Sequence, residues 1–190
     1  MTATPSTMLP LGTTMPAFRL ATATGEMVSS DSCSSRPLLV AFICHHCPFV
    51  RHIRREFARF TTEFQERGLA VIAINSNDSI AFPEDGPAGM QQESQEAGYT
   101  FPYLFDETQE VAKLFKAACT PDLFLFDARG TLVYRGQFDD SRPRNAVPVT
   151  GADIRAAAIA VLSGTPVPAE QKPSVGCNIK WRRGNEPDYW

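Results

Sequence analysis

No stretch of this 190-residue chain approaches the roughly 18–20 consecutive apolar residues that a membrane-spanning helix needs. Residues 1–14 lack both a basic start and an apolar core, the two parts of a secretory leader, so the expected location is the cytoplasm. Positive charge is not in excess: 18 Lys and Arg stand against 21 Asp and Glu, a net charge of −3. A dedicated nucleic-acid binder would carry a basic footprint, and none is present. Gly-x-Gly-x-x-Gly, a phosphate-binding loop and Gly-x-Ser-x-Gly are all missing, which leaves hydride transfer, phosphoryl transfer and serine hydrolysis without support. No internal repeat and no break in composition marks a second domain. What is present suffices for one globular core: 43% of residues are hydrophobic and 10% aromatic, which excludes disorder over most of the chain.

Residues 1–14, rich in Thr, Pro and Ser, read as a flexible lead-in, 15–165 as one domain, and 166–190 as an extended tail docked on it. Phe18–Ala21 and Met27–Ser29 flank a turn at Thr24-Gly25-Glu26 and predict a hairpin. Leu38–Cys44 and Leu69–Asn75 are continuous apolar runs of strand length, the pattern of strands buried on both faces. Between them Val50, Ile53, Phe57, Phe60 and Phe64 recur with helical spacing, Pro48 suits a first turn, and Gly68 suits the end. The unit predicts a parallel pair with a right-handed crossover. Residues 76–100 read as an insertion on the sheet edge with a short helix around Met90–Ala97. A strand at Phe101–Phe105, a helix at Glu107–Lys116, a hairpin of Asp122–Asp127 with Thr131–Gln137, and a helix at Asp153–Leu162 complete the order. Arg51, Arg54, Arg55 and Arg59 read as the solvated face of the long helix.

The cysteines are Cys33, Cys44, Cys47, Cys119 and Cys177, an odd number in a chain too large to need staples. Cys33 lies in a Ser-rich loop with no activating feature and reads as incidental. Cys44-His45-His46-Cys47 is the informative group, because it spans the junction of a buried strand and a helix. Unpaired N–H groups of a first helical turn, with a helix dipole worth about half a charge, stabilise a thiolate there. Cys44, at the strand end, is expected to be the exposed attacking thiolate, and Cys47, one turn in, the buried resolving one. A two-residue spacer brings the sulfurs within disulfide distance. His46 is expected to favour the Cys44 thiolate by a hydrogen bond or by charge and so to raise the reduction potential. His45 reads as a solvated loop-tip residue.

Phe42-Ile-Cys-His-His-Cys-Pro-Phe-Val50, Ile74-Asn-Ser-Asn-Asp78, Cys119-Thr-Pro-Asp-Leu-Phe-Leu-Phe-Asp127, Tyr134-Arg-Gly-Gln-Phe-Asp-Asp-Ser-Arg-Pro143 and Gly176-Cys-Asn-Ile-Lys-Trp181 resemble segments of one family. This is the redoxin, or alkyl hydroperoxide reductase/thiol-specific antioxidant, family of the thioredoxin superfamily, and within it the peroxiredoxin-like members. The resemblance implies a thioredoxin-like α/β fold: a mixed sheet flanked by helices, with an N-terminal hairpin, the 76–100 insertion and an extended C-terminal tail. It also implies a cis Thr120–Pro121 bond opposite the Cys-x-x-Cys group, where Pro121, lacking an N–H, leaves its neighbours' backbone free to pair with an extended substrate. The chain departs from true peroxiredoxins. Cys47 stands at their peroxidatic position, Cys44 replaces their Thr or Ser, Val40 their Pro, and no arginine lies near Pro121. A peroxide site needs donors that stabilise the leaving oxygen, so efficient peroxide reduction is not expected.

The expected function is a thiol–disulfide oxidoreductase without a cofactor, built on Cys44 and Cys47 with His46, Thr120 and Pro121 beside them. Its partners would be disulfide-bearing proteins or small molecules and a thiol electron donor. Two alternatives stand beside it: a weak thiol peroxidase, and a zinc or copper(I) protein using Cys44, Cys47, Cys119 and Cys177 as ligands. In the tail, Ile179 and Trp181 have strand-like spacing and are expected to dock Cys177 towards the Cys-x-x-Cys face or Cys119. There Cys177 and Cys119 would be auxiliary thiols, Cys177 receiving the disulfide from Cys44–Cys47 or completing a metal site. The plain alternative for Cys177 is an inert buried cysteine. Asp139-Asp-Ser-Arg142 reads as a turn, either supporting the site or solvated.

Overall fold

Two strands with every residue buried, Leu38–Phe42 (β4) and Ala70–Asn75 (β5), form the parallel centre of the computed structural model, which describes residues 3–189. Their unbroken apolar runs are explained by cores on both faces. Leu39 and Ala41 join one core, while Leu38, Val40 and Phe42 join the other, as strand alternation requires. The crossover helix Pro48–Glu66 (α1) buries Val50, Ile53, Phe57, Phe60 and Phe64, with Pro48 in its first turn and Gly68 at a φ of +100° just past its end.

Arg19–Thr22 (β2), Met27–Ser29 (β3), Pro87–Ala97 (α2), Tyr103–Phe105 (β6), Glu110–Leu114 (α3), Asp122–Phe126 (β8), Leu132–Gly136 (β9) and Ala152–Leu162 (α4) follow the predicted order, and three short strands not predicted, Ala3–Pro5 (β1), Cys119–Thr120 (β7) and Val175–Asn178 (β10), are added. The large sheet runs β3-β2-β6-β5-β4-β8-β9, with β4–β5 and β5–β6 parallel and the rest antiparallel. The insertion therefore does not cover a sheet edge. Its α2 packs on α1 and β6, because the N-terminal hairpin extends the sheet beyond β6.

The lead-in is also corrected. Ala3–Pro5 pairs with β10, Leu9 is buried, and the Leu9 carbonyl accepts from Arg135 Nε at 2.9 Å. Residues 1–2 lie outside the described residues. Three residues of strand carry no readable period, and their partner sits at the far end of the chain. A second sheet, β1-β10-β7, results, and it lays the tail against the residue that precedes Pro121. Ile179 and Trp181 are buried and hold the tail in the second core.

Phe115 is the hub of that core, with ring centroids at 5.4 Å from Phe42 and Phe124, 5.9 Å from Phe126 and 6.0 Å from Phe18. Phe115→Ala is expected to lower the unfolding free energy by about 3–5 kcal/mol, read from the urea midpoint; a loss below about 1 kcal/mol would contradict this packing.

Candidate active site

Helix α1 begins at Pro48, so Cys47 is its N-cap residue, and Cys44 lies upstream in the loop that leaves β4. The free amides of a first turn act on the N-cap position. Hydrogen bonds from the Cys177 and Cys44 thiols hold the Cys47 thiol well below the ordinary range against the opposing effect of burial, and Thr120 and the Val50 amide add to them. Cys44 goes the other way. Burial, its bond to Cys47 and the charge of Asp85 push it well above the ordinary range. These opposed directions favour ionisation at Cys47 over Cys44, and both residues are 0% exposed. Cys44 is buried where exposure was expected, and burial is the first cause that works against its ionisation.

Thr120 joins the two sulfurs. Its Oγ1 lies 3.3 Å from Cys44 Sγ, and its carbonyl accepts from protonated Cys47 Sγ at 3.1 Å. The Thr120–Pro121 bond is cis. A small cleft lined by Phe49, His52, Pro121, Phe138 and Ser141 opens beside it. The Asp139–Arg142 turn supports that cleft: Asp139 accepts the Thr150 and Gly151 amides at 2.7 and 2.6 Å ahead of α4, and Ser141 Oγ lies 2.7 Å from His52 Nε2.

His46 does not turn to a sulfur. Its Nδ1 is bonded to Asp85 Oδ2, its backbone N–H donates to Asp85 Oδ1 at 3.2 Å, and its ring stacks on Phe82 with centroids 5.6 Å apart. The bond to Asp85 raises the imidazole pKa, with burial opposing. His45 is not solvated either; it is buried with Nδ1 3.1 Å from Glu93 Oε2, which also takes Arg54 at 3.4 Å. Asp85 comes from the short 3-10 turn Pro83–Asp85 of the insertion and was missed. Asn75 and Asn77 were its signal. Asn75 closes the otherwise apolar β5 and Asn77 follows it, and buried amides need partners; both bond Asp85, Asn77 Nδ2 reaching Oδ2 at 2.7 Å.

Cys119 and Cys177 separate. Cys119 turns its thiol to the Pro121 carbonyl at 3.6 Å. Cys177, 1% exposed, stands opposite Thr120 in the β10–β7 register and is hydrogen-bonded to Cys47, a bond that, with burial, raises its own pKa. The four cysteines therefore make no common ligand set, since strand alternation points Cys119 away. The metal-capable cluster among the described residues is instead Cys44, His46 and Asp85, whose donor atoms lie within 4.8 Å of one another.

Asp122, immediately after Pro121, is fully buried, with Oδ1 unpartnered and Oδ2 accepting the Ala118 amide at 3.3 Å. Burial pushes its carboxyl up to about 7. The folded state thus keeps a proton that the unfolded chain releases earlier. The stability this supplies is full below the ordinary carboxylate value and is lost as pH rises through about 7. Asp122→Asn is expected to remove this loss, gaining a few kcal/mol on wild type between about pH 4 and pH 8, at about 1.4 kcal/mol per unit. Urea midpoints across that range test it, and parallel curves for the two proteins would contradict it.

Residues 11–135 match the model of the AhpC/TSA family. Among solved structures, an uncharacterized conserved protein from Geobacillus kaustophilus is 50% identical over 96% of this chain and 97% of that one, with a TM-score of 0.93. A hypothetical protein from Sinorhizobium meliloti 1021 is 51% identical over 95% of this chain and all (100%) of that one, also at 0.93. A thioredoxin-family thiol:disulfide interchange protein from Chlorobium tepidum TLS shares 19% identity over 80% of this chain and 98% of that one, at 0.63, a likeness of fold. No curated protein matches. The matched span covers β4, α1, β5, β8 and the Cys-x-x-Cys junction that closes on Thr120, and the chain belongs to the AhpC/TSA (redoxin) family with a thioredoxin-like fold.

Proposed function

We propose that the protein is a thiol–disulfide oxidoreductase whose redox couple is Cys44 and Cys47. One observation carries this reading. Both sulfurs of a single Cys-x-x-Cys meet at Thr120, with surroundings that lower the thiol pKa at Cys47 and raise it at Cys44. The Cys47 thiolate attacks one sulfur of a substrate disulfide, whose S–S bond breaks, and the electron pair leaves on the other sulfur, which takes a proton from water. Cys44 then loses its proton to the imidazole–carboxylate pair of His46 and Asp85, within 4.8 Å of its sulfur, and attacks Cys47 Sγ. The substrate thiolate is expelled, a Cys44–Cys47 disulfide forms, and two electrons have passed to the substrate. A thiol donor returns the couple to its reduced form.

The substrates are disulfides of proteins or small molecules, and the setting is the reducing cytoplasm, where a resting dithiol is maintained. Among the described residues no helix is long and apolar enough to cross a membrane. A peroxidase reading gains nothing from Arg142, whose guanidinium is held by Gln137 Oε1 and by the Asp139 and Ser141 carbonyls. A metal reading has the Cys44–His46–Asp85 cluster in its favour. There His46 Nδ1 and Asp85 Oδ2 already satisfy each other, which favours the redox reading.

Cys47→Ser is expected to abolish disulfide reduction, by about a hundredfold or more, because a hydroxyl supplies no comparable nucleophile. Cys44→Ser combined with Cys177→Ser is expected to complete the first attack and accumulate a mixed disulfide on Cys47, visible by intact mass. Trapping on Cys44 in the Cys47→Ser protein, with none on Cys47 in the double variant, would reverse the roles.

A further inference from the structure

The tail occupies the edge on which an extended substrate would pair. Strand β10 runs antiparallel to β7, with Cys177 opposite Thr120 and Asn178 opposite Cys119. It lies on the Thr120–Pro121 peptide without clearance. A Cβ built on Gly176 would stand 2.0 Å from the Thr120 carbonyl oxygen and 3.1 Å from Pro121 N, so glycine is required there for close approach. Ser6 N–H donates to the Ser174 carbonyl at 2.8 Å, Ile179 N–H to Ala118 at 3.0 Å, and Lys180 N–H to Asn77 Oδ1 at 2.9 Å. Asn77 is the residue that also holds Asp85, so the tail is stitched to the polar shell of the site. Strand addition of this kind is how extended peptides dock on sheet edges. Here the docked strand belongs to the chain itself and presents a cysteine beside Cys47, which sits 3.1 Å from the carbonyl of the residue opposite Cys177.

We propose that Cys177 is a third redox thiol and β10 an internal substrate strand, so that the disulfide formed at Cys44–Cys47 passes by exchange to Cys47–Cys177. This rests on the Cys44–Cys47 couple proposed above. In the step, Cys177 gives up its proton and its sulfur attacks Cys47 Sγ. The Cys47–Cys177 bond forms as the Cys44–Cys47 bond breaks, and Cys44 leaves with the electron pair and takes up a proton. One disulfide replaces another, no electrons enter or leave, and Cys44 is returned to the thiol state beside His46. The register that sets Cys177 opposite Thr120, whose carbonyl lies 3.1 Å from Cys47 Sγ, brings the two thiols to one place.

The test is non-reducing peptide mapping of the full chain, equilibrated with a reduced/oxidised glutathione buffer, for wild type, Cys177→Ser and Cys44→Ser. Wild type is expected to give both the Cys44–Cys47 and the Cys47–Cys177 links. Cys177→Ser should give the first alone, and Cys44→Ser the second in place of a lasting glutathione adduct on Cys47. A wild-type map with the Cys44–Cys47 link and no Cys47–Cys177 link overturns the exchange and leaves the couple standing. A map with only Cys47–Cys177 overturns the couple, and the exchange with it. A map with neither overturns both. The wild-type map decides between these results even if a variant fails to fold.

Discussion

Thr120 is loaded from three sides: its hydroxyl meets Cys44, its carbonyl meets Cys47, and its backbone pairs with β10. It ties the strand–helix junction to the second sheet and to the start of β8. The loop at the head of α1 can hold two sulfurs near each other only if something opposite them fixes their direction, and the short β7 strand does so. That strand is in turn fixed by β10 on one side and by the buried β8 that follows Pro121, whose register with β4 runs from Asp122 opposite Phe42. The position of the two sulfurs thus depends on the tail as much as on the central sheet.

Around that point the chain buries several charged and amide side chains. Asp85, Glu93, Asn75, Asn77 and Asp122 are all buried, and each is costly unless partnered. Asp85 and Glu93 meet the two histidines of the Cys-His-His-Cys loop, which stops that loop from moving freely in solvent. The Asp85 charge also acts against ionisation of Cys44, while the helix start and neighbouring thiols act in favour of Cys47. Two chemically identical side chains a helical turn apart are driven in opposite directions by their surroundings. That difference suits a couple in which one sulfur attacks and the other resolves.

Much of the architecture was legible because its signals are long. Five apolar residues of α1 at helical spacing, and the two continuous runs that became β4 and β5, leave little choice of element, and Pro48 and Gly68 marked the ends of α1. The pairing of the Cys-x-x-Cys group with Thr120-Pro121 came from family resemblance, since no local period connects residues so far apart. Three things escaped for identifiable reasons. β1 is too short to show alternation. Asp85 sits in a Pro- and Gly-rich insertion whose pattern says only that it turns. The roles of Cys44 and Cys47 depend on whether the helix begins a few residues earlier or later, and sequence locates such boundaries least well. Cys177 was legible as a docked thiol from the spacing of Ile179 and Trp181, but its partner could be named only once β10 was seen opposite Thr120.

The proposed chemistry requires Cys47 to hold the first negative charge of the sulfur cluster. Thiolate absorbance in the ultraviolet, followed across a pH titration of the reduced protein, measures it directly. Wild type should show one thiolate already present well below the pKa of about 8.5 of a free cysteine. Cys47→Ala should lose that early absorbance while keeping the titrations of the remaining thiols at high pH. An early thiolate that survives in Cys47→Ala and disappears in Cys44→Ala would contradict it.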